Sequence, residues 1–365
     1  MSQEVNLKNL PLGINTLDKL RGSDCVYVDK THLALKLIKQ PGAFFLSRPR
    51  RFGKSLFKDI TISEAYSSIC GYTETDLRES FGDHLEGVDW DALRHWYNGY
   101  NWTGSETVYN PYDILLFISE GMRFRNYWFE TGSPTFLVKL FQTNRYFLPN
   151  LEHLEVTEEI LESFEVEKIN PVTLLFQSGY LTIERTFTRR QRYMFALKIP
   201  NLEVRLALND QFINAYTENV NEKSGIQDSL YEFMNRGDVE SMIMAIKRLF
   251  AGIPWRNFTN NDLADFEGYY ASVIYAFLSS LDARVIPEDI SNYGQADITT
   301  MLGAHIYVME IKVVEGNQVQ GNPALDQILQ RNYAEKYRGE PGKSVHEIGL
   351  IFSRSQRDLI QANWQ

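Results

Sequence analysis

Alternation of apolar and polar residues is sharpest in the last third of the chain. Around Gly303-Ala304 the stretch from Ala296 to Lys312 reads as a β-hairpin: a Gly-first two-residue turn joins two runs rich in Ile, Thr, Tyr and Val. Pairing outward from the turn sets Asp297 opposite Glu310. The two-residue period of a strand then places Lys312 on the face of Glu310, while Tyr307, Met309 and Ile311 point the other way. Gly294-Gln295-Ala296 gives a small, flexible approach to the strand of Asp297. Upstream, Phe266 to Leu278 has helical periodicity with Glu267 near its first turn. Downstream, Ala324 to Tyr337 reads as one amphipathic helix and Glu347 to Phe352 as a final strand. The predicted order is helix, two strands, helix, strand.

The middle of the chain reads as mainly helical. Thr73-Glu74-Thr75-Asp76-Leu77 is a capped helix start, and Asp89 to Tyr97 carries aromatics at helical spacing. No basic residues interleave with these aromatics, which favours core packing over a base-stacking platform. Helices around Glu158 to Phe164 and Pro171 to Ser178, followed by a hairpin from Tyr180–Glu184 and Tyr193–Ile199, give a winged-helix outline. The turn of that hairpin carries Arg185, Arg189, Arg190 and Arg192, which suit either a phosphate backbone or a solvated charged loop. Asn201 is placed to cap a helix from Leu202 to Tyr216. Nearer the N-terminus, the apolar strand Ala43-Phe44-Phe45-Leu46 runs into Ser47-Arg48-Pro49-Arg50-Arg51-Phe52-Gly53-Lys54-Ser55. This has the Gly-Lys-Ser ending of a phosphate-binding loop but Arg48 at the usual first glycine, so a basic turn is an equal reading of the spacing.

Composition sets outer limits. The chain has 365 residues, 44% of them apolar and 13% aromatic, enough for two or three domains with filled cores. Its N-terminal residues lack a signal-peptide apolar core and no apolar run is long enough to span a bilayer. Cys25 and Cys70 stand far apart without a Cys-x-x-Cys, and the six histidines show no metal-ligand spacing, so a cytoplasmic protein without structural zinc is expected. A net charge of −10 is unlike a protein that coats nucleic acid by bulk electrostatics, so any such contact must be local.

Like charges opposed on a sheet are destabilising, and a bound cation is the simplest physical reason to keep Asp297 and Glu310 there, although surface hairpins carry such residues by chance as well. The order Asp, then Glu-x-Lys on the next strand, resembles the core of the PD-(D/E)XK nucleases. A second set of motifs is independent of it. Leu10-Pro11-Leu12-Gly13-Ile14-Asn15, Tyr27-Val28-Asp29-Lys30-Thr31 and the Arg48 to Ser55 loop resemble the start of the bacterial AAA-ATPase-like family whose members end in a PD-(D/E)XK nuclease-like domain. Trp96-Tyr97-Asn98-Gly99-Tyr100, Tyr109-Asn110-Pro111, Tyr127 to Gly132 and Gln177-Ser178-Gly179-Tyr180-Leu181 extend the likeness over nearly the whole chain.

The resemblance implies a mixed α/β protein with an AAA-ATPase-like N-terminal segment over 1–60, a helical and winged-helix-like region over 61–253, and a nuclease-like α/β domain over 254–365. The N-terminal part is a P-loop remnant: after Ser55-Leu56-Phe57 the chain goes straight to Lys58-Asp59-Ile60, where the family continues through its ATPase core, and no strand ending in Asp-Asp or Asp-Glu is found elsewhere. In Tyr112-Asp113-Ile114-Leu115-Leu116-Phe117 the acid precedes the apolar run. Carried over by motif, Asp297 and Glu310 hold Mg²⁺ or Mn²⁺, Lys312 handles the attacking water, Glu267 adds a supporting acid and Gln327 touches substrate phosphate. Gly53, Lys54 and Ser55 contact nucleotide phosphate if ATP is bound. The implied activity is metal-dependent hydrolysis of DNA or RNA. The rival is a non-catalytic nucleotide- or nucleic-acid-binding protein that keeps the nuclease shape.

Overall fold

A computed structural model describes residues 7–14, 17–40, 62–103, 106–128, 148–152, 154–158, 161, 170–216, 220–253, 267–281 and 283–365. The phosphate-loop residues Gly53, Lys54 and Ser55, the strand expected at Ala43–Leu46 and most of the helix expected from Glu158 to Phe164 lie outside these. The chain divides into two units, Met1–Gly132 with Leu151–Ala207, and Ser133–Asn150 with Leu208–Gln365.

The first unit is built from short helices whose starts are written into the sequence. After α1 (Leu17–Gly22) and α2 (Thr31–Ile38), α3 (Glu74–Phe81) opens with a reciprocal cap: Asp76 N–H donates to Thr73 Oγ1 at 3.1 Å, and Thr73 N–H donates to Asp76 Oδ2 at 2.8 Å. Asp89 caps α4 (Trp90–Tyr97), and Asn110 with Pro111 starts α5 (Pro111–Ser119). Their inner faces bury Leu77, Phe81, Leu93, Tyr97, Ile114 and Phe117, so the aromatics of this region are core. The stretch Tyr112–Phe117 belongs to α5. Asp113 is buried beside Glu203, whose carboxyl is pushed well above its ordinary value by burial and by Asp113.

A three-stranded antiparallel sheet completes the unit: β1 (Leu154–Thr157), then, after α6 (Pro171–Ser178), the hairpin β2 (Thr182–Arg189) and β3 (Arg192–Lys198), in the order β1-β3-β2. Strand β1 went unread because four residues are too few to show a period. The hairpin turn is Arg190-Gln191, both with positive φ (48° and 63°) as a type I′ turn requires. Of the four arginines expected in the turn, Arg185 and Arg189 lie on β2 and Arg192 opens β3, because both strands run on to the turn itself, which keeps Arg190. Asn201 Oδ1 accepts from Val204 N–H at 3.0 Å and caps α7 (Leu202–Tyr216), within which the division between the units falls.

In the second unit α8 (Val220–Arg236), α9 (Val239–Ala251) and α10 (Glu267–Ser279) precede a five-stranded sheet of β4 (Arg284–Ser291), β5 (Gly294–Leu302), β6 (His305–Val314), β7 (Ser344–Ser353) and β8 (Asp358–Trp364), with α11 (Pro323–Gln330) between β6 and β7. The order is β4-β5-β6-β7-β8, and only β6 with β7 is parallel. Helix α10 is buried along Tyr269–Ser279, and Tyr270 stacks on Phe352 of β7, with ring centroids 4.3 Å apart. Residue α11 Ile328 packs with Ile306 and Val308, which alternate with the residues of β6 that face α10's side. The sheet is therefore a middle layer with helices on both faces.

Two elements differ from the sequence reading. The helix expected over Ala324–Tyr337 ends at Gln330: Asn332 takes φ +46°, Tyr333 N–H donates back to Ile328 O, and a short 3₁₀ turn at Glu335–Tyr337 follows. Strands β4 and β8 were not anticipated. Pro287 and three charged residues blur the first, and polar residues the second, which is consistent with their places at the two sheet edges.

Candidate active site

The hairpin forms in the expected register. Gly303 takes φ +56° in the turn, Leu302 pairs with His305, and the ladder runs to Ile298 paired with Met309. The next position would pair Asp297 with Glu310, and here the ladder stops. Residues 294–296 of β5 stay paired to β4, while β6 continues along β7 to Val314. The sheet thus forks between β5 and β6, and side chains fill the fork.

Two carboxylates take over the donors that β5 leaves behind on β6. Asp297 Oδ2 accepts from Ile311 N–H at 2.7 Å, and Glu267 Oε1, at the start of α10, accepts from Val313 N–H at 3.3 Å. Successive outward amides on a strand are about 7 Å apart, so these two carboxylates sit side by side along the edge of β6. Glu310 is 2% exposed. Its Oε1 accepts from Lys312 Nζ at 3.0 Å and from the Gln327 amide. Its Oε2 is buried with no hydrogen-bond partner among the described residues. Burial, and then the charge of Asp297, push the Glu310 carboxyl from 4.5 up to about 7. Asp297 is also raised, chiefly by burial, with Glu267 and Glu288 adding to it and the Ile311 amide opposing. Lys312 is pulled down by burial, but its bond to Glu310 and the surrounding acids outweigh this and hold it above its ordinary value.

All five residues named from the sequence in this region, Asp297, Glu310, Lys312, Glu267 and Gln327, meet at the fork. Gln327 turns its amide to Glu310 and to Tyr333 Oη, 3.2 Å away. Three further residues shape the site and were not read from the sequence. Glu288 stands opposite Asp297 on β4, at φ +47° and without a ladder pair, and its charge bears on Asp297. Asn322 caps α11 through Leu325 N–H and donates to Gly349 O, and a Cβ on Gly349 would lie 2.3 Å from Leu325 N. That close approach sets how low α11 rides on β7 and therefore where Gln327 reaches. The cap was signalled by Asn322-Pro323; nothing local marked Glu288 or Gly349. An open groove of about 680 Å³ lies between the Tyr293-Gly294 turn and Asp326, Gln327, Arg331 and Tyr333 on the helix side, and Gln327 is the fork residue that lines it.

Residues 265–362 match the PD-(D/E)XK nuclease superfamily. The match spans α10 to β8 and contains every residue of the fork. Residues 11–84 match a family described as a predicted AAA-ATPase, a span that includes Gly53, Lys54 and Ser55. Both ends of the chain thus carry the domains that the motifs resemble. An uncharacterised protein in the vnfD 5′ region of Azotobacter chroococcum mcd 1 is 40% identical over 322 residues, which is 86% of this chain and 61% of that protein. The chain therefore spans about three fifths of the relative's length. No solved structure matches.

PD-(D/E)XK nucleases generally use divalent metal ions. Among the described residues no three carboxylate, imidazole or thiolate side chains are grouped to hold a metal by themselves. The donors at the fork do fit magnesium or manganese, which need one or two carboxylates and keep several waters: both candidates are hard oxygen donors, and one of them, Glu310 Oε2, is buried and unpartnered. No helix among the described residues is long and apolar enough to cross a membrane.

Proposed function

We propose that the protein is a metal-dependent nuclease that hydrolyses phosphodiester bonds in DNA or RNA at the β5–β6 fork. The observation that carries this reading is the buried, unpartnered Oε2 of Glu310 in a fork shared with Asp297. Two acids forced together in a buried place are destabilising as anions, and a divalent cation is the ligand that reverses the sign.

Asp297 and Glu310 would hold Mg²⁺ or Mn²⁺. When bound, the ion supplies positive charge to the scissile phosphate and acidifies water. Gln327 and Lys312 both bond one oxygen of Glu310, which leaves its second oxygen for the ion. Lys312, held protonated by its acidic neighbours, orients the attacking water and offsets charge that develops on the phosphate. Glu267, tied to the Val313 amide through one oxygen, keeps the other for a water on the open side. The groove beside α11 would take the nucleic-acid strand, with Arg331 and Asp326 both in its lining. At the other end of the chain, Gly53, Lys54 and Ser55 are proposed to contact nucleotide phosphate. The nuclease-like domain over 254–365 and the two free cysteines, Cys25 and Cys70, suit a cytoplasmic nucleic-acid enzyme.

The test uses purified wild type, Asp297→Asn and Lys312→Ala on single-stranded DNA, duplex DNA and RNA with Mg²⁺ or Mn²⁺, alongside calorimetric metal titration. Wild type should cleave at least one substrate. Asp297→Asn should lose metal binding and cleavage together, whereas Lys312→Ala should bind metal and lose roughly a hundredfold or more in rate. No metal uptake by wild type, or cleavage equal in all three, rejects the site and leaves the non-catalytic binding protein.

A further inference from the structure

Four arginines fall within eight residues of a chain whose net charge is −10. The register of the first unit's sheet decides where they point. Arg189 pairs with Arg192, Phe187 with Met194 and Arg185 with Ala196, while Thr157 and Glu155 of β1 pair with the same Met194 and Ala196. Residues paired directly across strands share a face. Arg185, Phe187, Arg189, Arg192 and Thr157 therefore line one face, and the opposite face carries the buried Val156 and Phe195.

That face is positively charged by construction. Glu155 is the acid that answers it, 2.6 Å from Arg189 and 3.6 Å from Arg185. Arg190 and Arg192 have no carboxylate partner among the described residues. Arg189 directly opposite Arg192 is a like-charge cross-strand pair, and Glu155 answers it on the Arg189 side alone. The turn holds Arg190 at φ +48°, a conformation for which Asn or Gly is the easier residue. Arg189, Arg190 and Arg192, with Thr157 and Met194, surround an open concavity of about 530 Å³. Both guanidinium groups of Arg185 and Arg189 lie against Phe187, 4.7 and 5.2 Å from its ring centroid, so this aromatic surface is covered by arginine rather than offered to a base.

We propose that the hairpin β2–β3 is a nucleic-acid backbone site, in which Arg190 and Arg192 bind phosphodiester oxygens with Arg189 at the rim. The inference deepens the nuclease reading and rests on it for the choice of polyanion: it assigns a binding contact, independent of base sequence, to a unit of the chain other than the one that carries the carboxylate fork. Guanidinium donors suit this task because their fork matches two phosphate oxygens at once, and contacts of this kind release counterions and so depend steeply on salt.

Fluorescence anisotropy of the full chain with labelled single-stranded DNA, single-stranded RNA and duplex DNA, in EDTA so that nothing is cleaved, tests the site apart from catalysis. The double variant Arg190→Ala/Arg192→Ala should bind roughly tenfold or more weakly, with the slope of log affinity against log salt shallower by about 1.4 on single strands or about 1.8 on duplex. Arg190→Lys/Arg192→Lys should recover most of the slope. The charge-matched control Arg236→Ala/Arg248→Ala, on exposed positions of α8 and α9, should bind like wild type, and far-UV circular dichroism should be the same for all. Equal binding by the arginine-to-alanine variant and wild type overturns the proposal, as does an equal loss in the control. Arginine-dependent binding to phosphatidylserine-containing vesicles without oligonucleotide binding also overturns it, in favour of a membrane surface. If the wild type binds through these arginines but never cleaves, the nuclease reading fails and the backbone site stands; if it cleaves and the variant binds unchanged, the backbone site alone fails.

Discussion

The energetics of the fork centre on Glu310, buried with one oxygen satisfied twice and the other not at all. Its folded-state value of about 7 against an ordinary 4.5 means that the native protein holds a proton there which the unfolded chain releases. Metal-free stability is therefore fully retained below about pH 4.5 as far as this group is concerned, and falls as pH rises toward 7, by an amount on the order of 3 kcal/mol. Thermal melts in EDTA between pH 5 and 8 (roughly the window of that titration) should show the decline, and Glu310→Gln should flatten it. Mg²⁺ should raise the melting temperature of wild type more at the top of this window than at the bottom, and should leave Glu310→Gln nearly unmoved. Equal metal stabilisation at both ends would place the cation somewhere other than Glu310.

Elements, more than residues, decide what could be read in advance. The hairpin was legible because Gly303-Ala304 fixes a turn and the two-residue period does the rest, so Asp297, Glu310 and Lys312 followed as a set. The fork was not legible: whether β5 stays beside β6 past Ile298 depends on β4, whose own sequence, with Pro287 and Glu288-Asp289, hardly reads as a strand. Buried Asp289 holds that edge in place by accepting from Thr299 on the neighbouring strand and from Lys336 and Tyr337, which are remote in sequence. The apolar spacing of α11 continues past Arg331, so the sequence predicts a longer helix than the one the left-handed backbone at Asn332 ends. Its height over the sheet depends on Gly349. Gly349→Ala should destabilise the protein by roughly 1–3 kcal/mol and lift Gln327 away from Glu310, so that activity falls further than a neutral surface substitution would allow. Denaturant melts and cleavage rates on the same sample measure both. A stable variant with wild-type turnover would show that α11 has slack.

At the scale of the whole molecule, the two family matches sit at opposite ends of the chain, over 11–84 and 265–362, and the chemistry is unequally furnished. The nuclease end brings its carboxylates and lysine to one place. At the ATPase end the expected second acid has no counterpart among the described residues: Asp113, the nearest thing to it in sequence, is buried in a helix beside Glu203. ATP turnover by this chain should accordingly be negligible and insensitive to Lys54→Ala, as read by phosphate release with and without added nucleic acid. Robust release abolished by that substitution would reveal a hydrolytic acid elsewhere. The net charge of −10 repels a polyanion at long range, so any nucleic-acid contact must come from local features such as the arginine hairpin.

The fork also bears on how an inactive form of the protein should be made. Beyond Met309, β6 is an edge strand on its β5 side, and its outward amides at Ile311 and Val313 are bonded by Asp297 and Glu267 instead of by another strand. Unmasked strand edges are templates for pairing with a second chain, so the two acids act as edge guards as well as candidate ligands. Truncating Asp297 to alanine strips the guard along with the charge, and invites self-association that could pass for loss of catalysis. Asparagine keeps a carbonyl oxygen for the Ile311 amide while giving up the negative charge, which makes it the cleaner way to silence the site without unsealing the sheet.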